Sequence, residues 1–186
     1  MAIQINGNGT ITGLAVGGLP DGTVDTDTLA SSVSLGVTEV DQWRVTSSFS
    51  SSADPVTSNW ERNDNSFDKI GTGMSESSGI FTFPLTGIWK IDYQAGFSST
   101  GNSSYLGIYL KATTDNSSYA RIGYTYTSID DGSGTWYSGA SGTVMFDVTD
   151  VSTHKVCLEI GMDSASCMGN STYQVTGLTF MKLGDT

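Results

Sequence analysis

Between Gly87 and Phe97 the side chains change character at every residue. Trp89, Ile91, Tyr93, Ala95 and Phe97 fall on one face, and Lys90, Asp92 and Gln94 fall on the other. A period of two over this length marks a β-strand with one face buried. Just upstream, Phe81 and Phe83 alternate with Thr82 and then meet Pro84, which cannot donate to a ladder and so belongs at a strand end. No other long segment is as hydrophobic, so the remainder of the chain must fold around this one. The composition agrees: 23 glycines, abundant Ser and Thr, and no long runs of Leu, Ala, Glu and Lys describe a turn-rich all-β protein.

Further strands follow the same pattern. Trp43, Val45 and Phe49 suit a first strand, and Leu106, Ile108 and Leu110 face inward in another. Ala120, Ile122, Tyr124 and Tyr126 share a face, as do Val144, Phe146 and Val148, and then Val156, Leu158 and Ile160. Tyr173 to Leu183 closes the domain. Turn compositions such as Asp115-Asn116-Ser117-Ser118 separate the strands. Short strands at this spacing predict a β-sandwich or jelly roll. The 186 residues allow one sizeable domain, here 38–186, and an arm, 1–37. The arm has glycines every few residues and a Pro20-Asp21-Gly22 turn, too little apolar surface to fold alone. Its isolated hydrophobes, Ile3, Ile5, Leu14, Leu19 and Leu29, read as anchors for a partner, and 23–34 reads as a short helix.

The central stretch, with Gly79, Phe81, Pro84 and Gly87 followed by Trp89, resembles the C1q/TNF-type trimeric jelly roll. Phe67-Asp68-Lys69-Ile70 upstream and Val175-Thr176-Gly177-Leu178 near the end are similar to the flanking strands of that family. The resemblance implies an all-β jelly-roll antiparallel β-sandwich with an extended N-terminal arm, assembled as a homotrimer about a threefold axis. In that architecture one sheet of each subunit faces the axis, so its second face is not polar. Tyr105, Tyr109, Tyr173, Val175 and Met181 are the second-face residues expected at the trimer interface. The arm resembles N-terminal segments of tailed-bacteriophage virion proteins.

Other chemistry finds little footing. A net charge of −11 with 8 Lys+Arg argues against a nucleic-acid partner. No apolar run approaches the roughly 20 residues of a membrane helix, and no signal-peptide pattern opens the chain, so a soluble protein made in a cytoplasm is expected. Cys157 and Cys167 are too few for a disulfide framework and read as unpaired thiols, although a bridge across a hairpin stays open. His154, the one histidine, reads as an exposed strand-end residue without the serine and acid of a triad. Acidic turns such as Asp130-Asp131 and the Asp147–Asp150 pair offer too few convergent oxygens for calcium. The chain is therefore expected to be no enzyme and to need no cofactor or metal.

Trp60, Trp136 and Tyr137 beside polar loops are candidate glycan contacts, or else interface and core-edge packing. Two functional classes follow. The first is a homotrimeric bacteriophage virion structural protein, a capsid decoration (cement) or head-fibre protein whose arm binds the major capsid protein or another virion protein. The second is a short tail-fibre, receptor-binding protein that recognises a host surface glycan. Either would reside in the virion after assembly in the host cytoplasm.

Overall fold

The computed structural model describes residues 36–130 and 134–186, and the backbone of two dipeptides nearer the N-terminus. The chain divides into two units, Met1–Gly36 and Val37–Thr186. In the first, β1 (Gln4–Ile5) and β2 (Ile11–Thr12) pair antiparallel, with Gln4 opposite Thr12. The expected helix at 23–34 and the anchors Ile3, Leu14, Leu19 and Leu29 lie outside the described residues.

The second unit runs through β3 (Val40–Val45), β4 (Trp60–Arg62), β5 (Lys69–Ile70), β6 (Ser75–Ser77), β7 (Ile80–Thr82) and β8 (Gly87–Ser99). It continues with β9 (Ser103–Thr113), β10 (Ala120–Ile129), β11 (Trp136–Val148), β12 (Lys155–Met162), β13 (Ser166–Cys167) and β14 (Gly177–Gly184). Among the described residues there is no helix. One sheet of seven strands has the order β11-β8-β14-β3-β4, with β5 on β3 and β13 on β8. The other, of five strands, has the order β10-β9-β12-β7-β6. All pairs are antiparallel and strands distant in sequence become neighbours, which is the jelly-roll arrangement.

The two inner faces meet in a core built from the alternating residues. Trp89, Ile91, Tyr93, Ala95 and Phe97 are all buried, opposite Leu106, Ile108, Leu110, Val156, Leu158 and Ile160. Each of the larger aliphatic and aromatic side chains contributes about 1.5–3 kcal/mol on leaving water. Phe81 is the aromatic hub: Trp43, Trp60 and Phe180 pack on it with ring centroids 5.6, 4.9 and 5.4 Å away. Edge-on and tilted geometry of this kind places ring hydrogens on ring faces, as the aromatic quadrupole favours.

One strand departs from simple alternation. In β10, Ala120 lies opposite Ala112, a core-facing position, but Tyr124 lies opposite Tyr109, an outward one. A register shift between Arg121 and Gly123 accounts for it: the extra residue of a β-bulge moves every later side chain to the other face. Ala120 and Tyr124 therefore do not share the face that alternation assigned them. The boundaries of β11 and β14 also differ from expectation. β11 starts at Trp136 rather than near Thr143, and residues 173–176 form a loop ahead of β14.

A polar cluster occupies one end of the core. Asp41 is in phase with Trp43 and Val45, lies opposite Phe180, and is fully buried. Its carboxylate accepts from Trp43 Nε1 (2.9 Å), Arg62 Nε (2.9 Å), Arg62 Nη2 (3.1 Å) and the Met74 amide (2.7 Å). Next to it, buried Glu39 accepts from the amides of Thr72 and Gly73, both at 2.9 Å. Together these two carboxylates tie β3 to the turn before β6. That turn would otherwise leave backbone donors unpaired beside the core.

Cys157 and Cys167 are free and buried, and burial pushes their thiols up to about 12 and about 11. Both remain protonated and unreactive near neutral pH. Cys167 sits in β13, paired to β8. His154 is likewise buried instead of exposed: Thr149 and Thr153 hydroxyls lie 3.3 and 3.0 Å from its ring nitrogens, and Phe146 packs on its ring. The turn around Asp150 holds the histidine's own amide, so the ring is folded back over the sandwich end.

Candidate functional site

Among the described residues no helix covers either sheet. The face of the seven-stranded sheet is built from the off-phase residues of β8, β11 and β14. Its registered rows run Gly139–Gly96, Ser141–Gln94–Gly177, Thr143–Asp92–Thr179 and Met145–Lys90–Met181. Tyr137, Met145, Tyr173 and Leu183 on or beside this face are between 52% and 67% exposed. The small residues at its centre open a groove of about 440 Å³, lined by Gln94, Gly96, Gly139, Ser141, Tyr173 and Val175. Val175 lies so close over Gly96 that a Cβ there would sit 2.7 Å from its Cγ1. Lys90 and Asp92 pair with each other, and Thr143 donates to Asp92. The charges on β8 thus compensate locally and leave the groove to apolar and small polar groups.

The outward face of the five-stranded sheet is different. Tyr105, Tyr109, Tyr124 and Tyr126 form a continuous cluster with ring centroids 5.2–6.3 Å apart. The Tyr105 and Tyr109 hydroxyls share a hydrogen bond, and Tyr109 donates to Tyr126 at 3.3 Å. The Arg121 guanidinium lies 3.7 Å over the Tyr109 ring and is held there by Glu159. Burial and the neighbouring phenols push the Tyr109 hydroxyl far above the usual phenol range, so it stays a donor. Lys111 bridges Asp54 at 2.7 Å on the same face.

The five expected interface residues therefore do not come together. Tyr173, Val175 and Met181 belong to the seven-stranded face, whereas Tyr105 and Tyr109 belong to the five-stranded one. Tyr109 is also 2% exposed beneath Arg121, so a neighbouring subunit would not reach it. The candidate glycan residues separate too. Trp60 is used inside the chain, donating Nε1 to Val56 O at 2.7 Å and packing edge-on against Phe81. Trp136 and Tyr137 remain exposed at the start of β11 on alternate faces of the strand.

Sequence reasoning missed Gly96, Gly139 and Met145 as surface-forming residues. They are the off-phase partners of the core residues in β8 and β11, and extending the alternation of β11 back to Trp136 would have found Gly139. Arg121 could not be found this way, because its partner Glu159 lies on β12. Ile5 lies in β1, and its side chain is outside the described residues. Among the described residues no group of three or more His, Cys, Asp or Glu could hold a metal ion.

No protein-family model and no curated protein sequence matches the chain. Solved structures do. Murine APRIL at pH 5.0 superposes with a TM-score of 0.58 at 15% identity, covering 78% of this chain and 98% of that one. The Eiger TNF of S. frugiperda gives a TM-score of 0.57 at 11% identity, covering 79% and 93%. At such identities the likeness concerns fold alone: the second unit is a TNF-like jelly-roll β-sandwich.

Proposed function

We propose that the protein is a homotrimeric structural component of a bacteriophage virion, a capsid decoration or head-fibre protein, and not an enzyme. In this reading the seven-stranded faces of three copies surround the threefold axis. The observation that carries the association is the set of exposed side chains Tyr137, Met145, Tyr173 and Leu183 on or beside a face whose groove is floored by glycine. A monomer would leave this apolar surface in water, and closed rotational symmetry is the ordinary way to bury it. The groove gives a neighbour's side chain a place to enter, which a flat polar face would not.

The virion role rests on the sequence of residues 1–36 and its resemblance to phage virion segments. An arm too glycine-rich to fold alone needs a partner to offset an ordering cost of about 1–2 kcal/mol per residue. Three arms on one trimer would bind a shell with an avidity that no single arm reaches. A chain starting at Ser34 is expected to keep the β-type circular dichroism spectrum and the trimeric mass of the full chain. It should nevertheless fail to join particles that lack the protein, while the full chain decorates them. Decoration by the truncated chain at wild-type level would show that the jelly roll makes the contact instead.

A further inference from the structure

We propose that Tyr105, Tyr124 and Tyr126, on the outward face of the five-stranded sheet, form a stacking platform for an uncharged carbohydrate. The site is distinct from Trp60, Trp136 and Tyr137, and it does not depend on the trimer or the virion reading.

The rings are held in place before any ligand arrives. Gly161 and Gly107 leave a floor without side chains under the cluster: a Cβ on Gly161 would lie 2.7 Å from Tyr105 Oη and 3.0 Å from its Cε1. A Cβ on Gly107 would lie 2.9 Å from Tyr109 Oη. Tyr105 and Tyr109 therefore lie down against the sheet instead of standing off it. The linked hydroxyls of Tyr105, Tyr109 and Tyr126 fix the rings relative to each other. Holding a binding surface in its bound geometry removes the ordering cost that flexible aromatics would incur.

The ring faces are also open. Tyr105, Tyr124 and Tyr126 are 40–64% exposed, whereas Tyr109 gives its face to Arg121. Three exposed phenols in contact would be an unusual surface to leave solvated. A pyranose ring presents axial C–H groups with partial positive charge to the negative face of an aromatic ring, and its hydroxyls find hydrogen-bond partners at the rim. The rim here is polar: phenol hydroxyls, and an Arg121 guanidinium that spends Nε and Nη2 on Glu159 and carries further N–H donors.

Charge narrows the ligand class. Arg121 and Lys111 are balanced by Glu159 and Asp54 on the same face, with Lys111 also 3.9 Å from Glu159. The platform thus offers neither a free cation for an acidic sugar nor a free carboxylate for a basic group. The surrounding chain carries a net charge of −11 and would repel anionic glycans in any case. A neutral hexose or N-acetylhexosamine polymer matches both the ring faces and the balanced rim.

The test is a titration of the full chain with neutral oligosaccharides of glucose, galactose, mannose and N-acetylglucosamine, followed by nuclear magnetic resonance of the tyrosine rings. At least one series is expected to bind at millimolar concentration or below. Tyr124→Ala and Tyr126→Ala should each weaken it about tenfold or more, as loss of an aromatic anchor does. Tyr126→Phe, which keeps the ring, should retain most of the binding, and Leu85→Ala, at an exposed position outside the tyrosine cluster, should change nothing. Circular dichroism checks that each variant is folded. The proposal is overturned if no neutral series binds, if only charged glycans bind, or if the alanine variants bind like wild type. It is equally overturned if Tyr124→Ala or Tyr126→Ala changes the oligomeric mass, since a second copy of the chain would then be the occupant.

Discussion

Replacing Asp41 by alanine is expected to destabilise the jelly-roll unit by about 3–5 kcal/mol, the cost of breaking a buried ion pair by removing one partner. That is a large share of the 5–15 kcal/mol that holds a typical domain together. The carboxylate serves Arg62, the Trp43 indole and the Met74 amide at once, so its loss strands two neutral donors and leaves the guanidinium uncompensated beside the core. Unlike a core leucine, Asp41 cannot be replaced by simple repacking, because each donor needs its own acceptor. Asp41→Asn should fall between wild type and Asp41→Ala: it retains an acceptor oxygen but forfeits the charge opposite Arg62. Urea unfolding followed by tryptophan fluorescence measures both. A shift under about 1 kcal/mol for the alanine variant would mean that the cluster is decorative, on the scale of an exposed pair.

The second large effect concerns the groove. Gly139→Arg is expected to convert the proposed trimer into folded monomers. A Cβ at Gly139 meets only Ala95 O at 3.5 Å, an ordinary contact, so the fold has room for the side chain. In a trimer the same side chain would fill the groove and bring an unpaired charge into the interface, at a cost of several kcal/mol. Each 1.4 kcal/mol is about tenfold in association, so the loss should be on the order of a thousandfold. Size-exclusion chromatography and circular dichroism report the two expected outcomes together, a smaller particle and an unchanged β spectrum. If Gly139→Arg elutes like wild type, the groove is not at the interface.

Much of the sandwich was legible from alternation. Trp89 to Phe97, Leu106 to Leu110 and Val156 to Ile160 face the core as their spacing requires, because a period of two leaves only two faces to choose between. Alternation cannot say which sheet a strand joins. Tyr105 and Tyr173 both read as second-face residues, yet β9 lies beside β12 whereas residues 173–176 lead into β14 beside β8. Sheet membership depends on pairings between strands far apart in sequence, and those pairings separated one predicted patch into two. The β10 bulge was hidden for a related reason: an inserted residue is seen only against the partner strand's register.

The polar cluster and the tyrosine platform were illegible in a different way. Alternation with Trp43 and Val45 turns Asp41 inward, where a carboxylate is unexpected, and only Arg62 and the Met74 amide, brought in by two turns, make its burial tolerable. The role of Gly107 and Gly161 emerges only where the two strands meet and set both glycines beneath Tyr105 and Tyr109.

In the proposed assembly three copies associate through the seven-stranded face. Native mass spectrometry of the full chain at micromolar concentration tests it most directly. A dominant species of three times the chain mass is expected. A chain that stays monomeric under these conditions would contradict it.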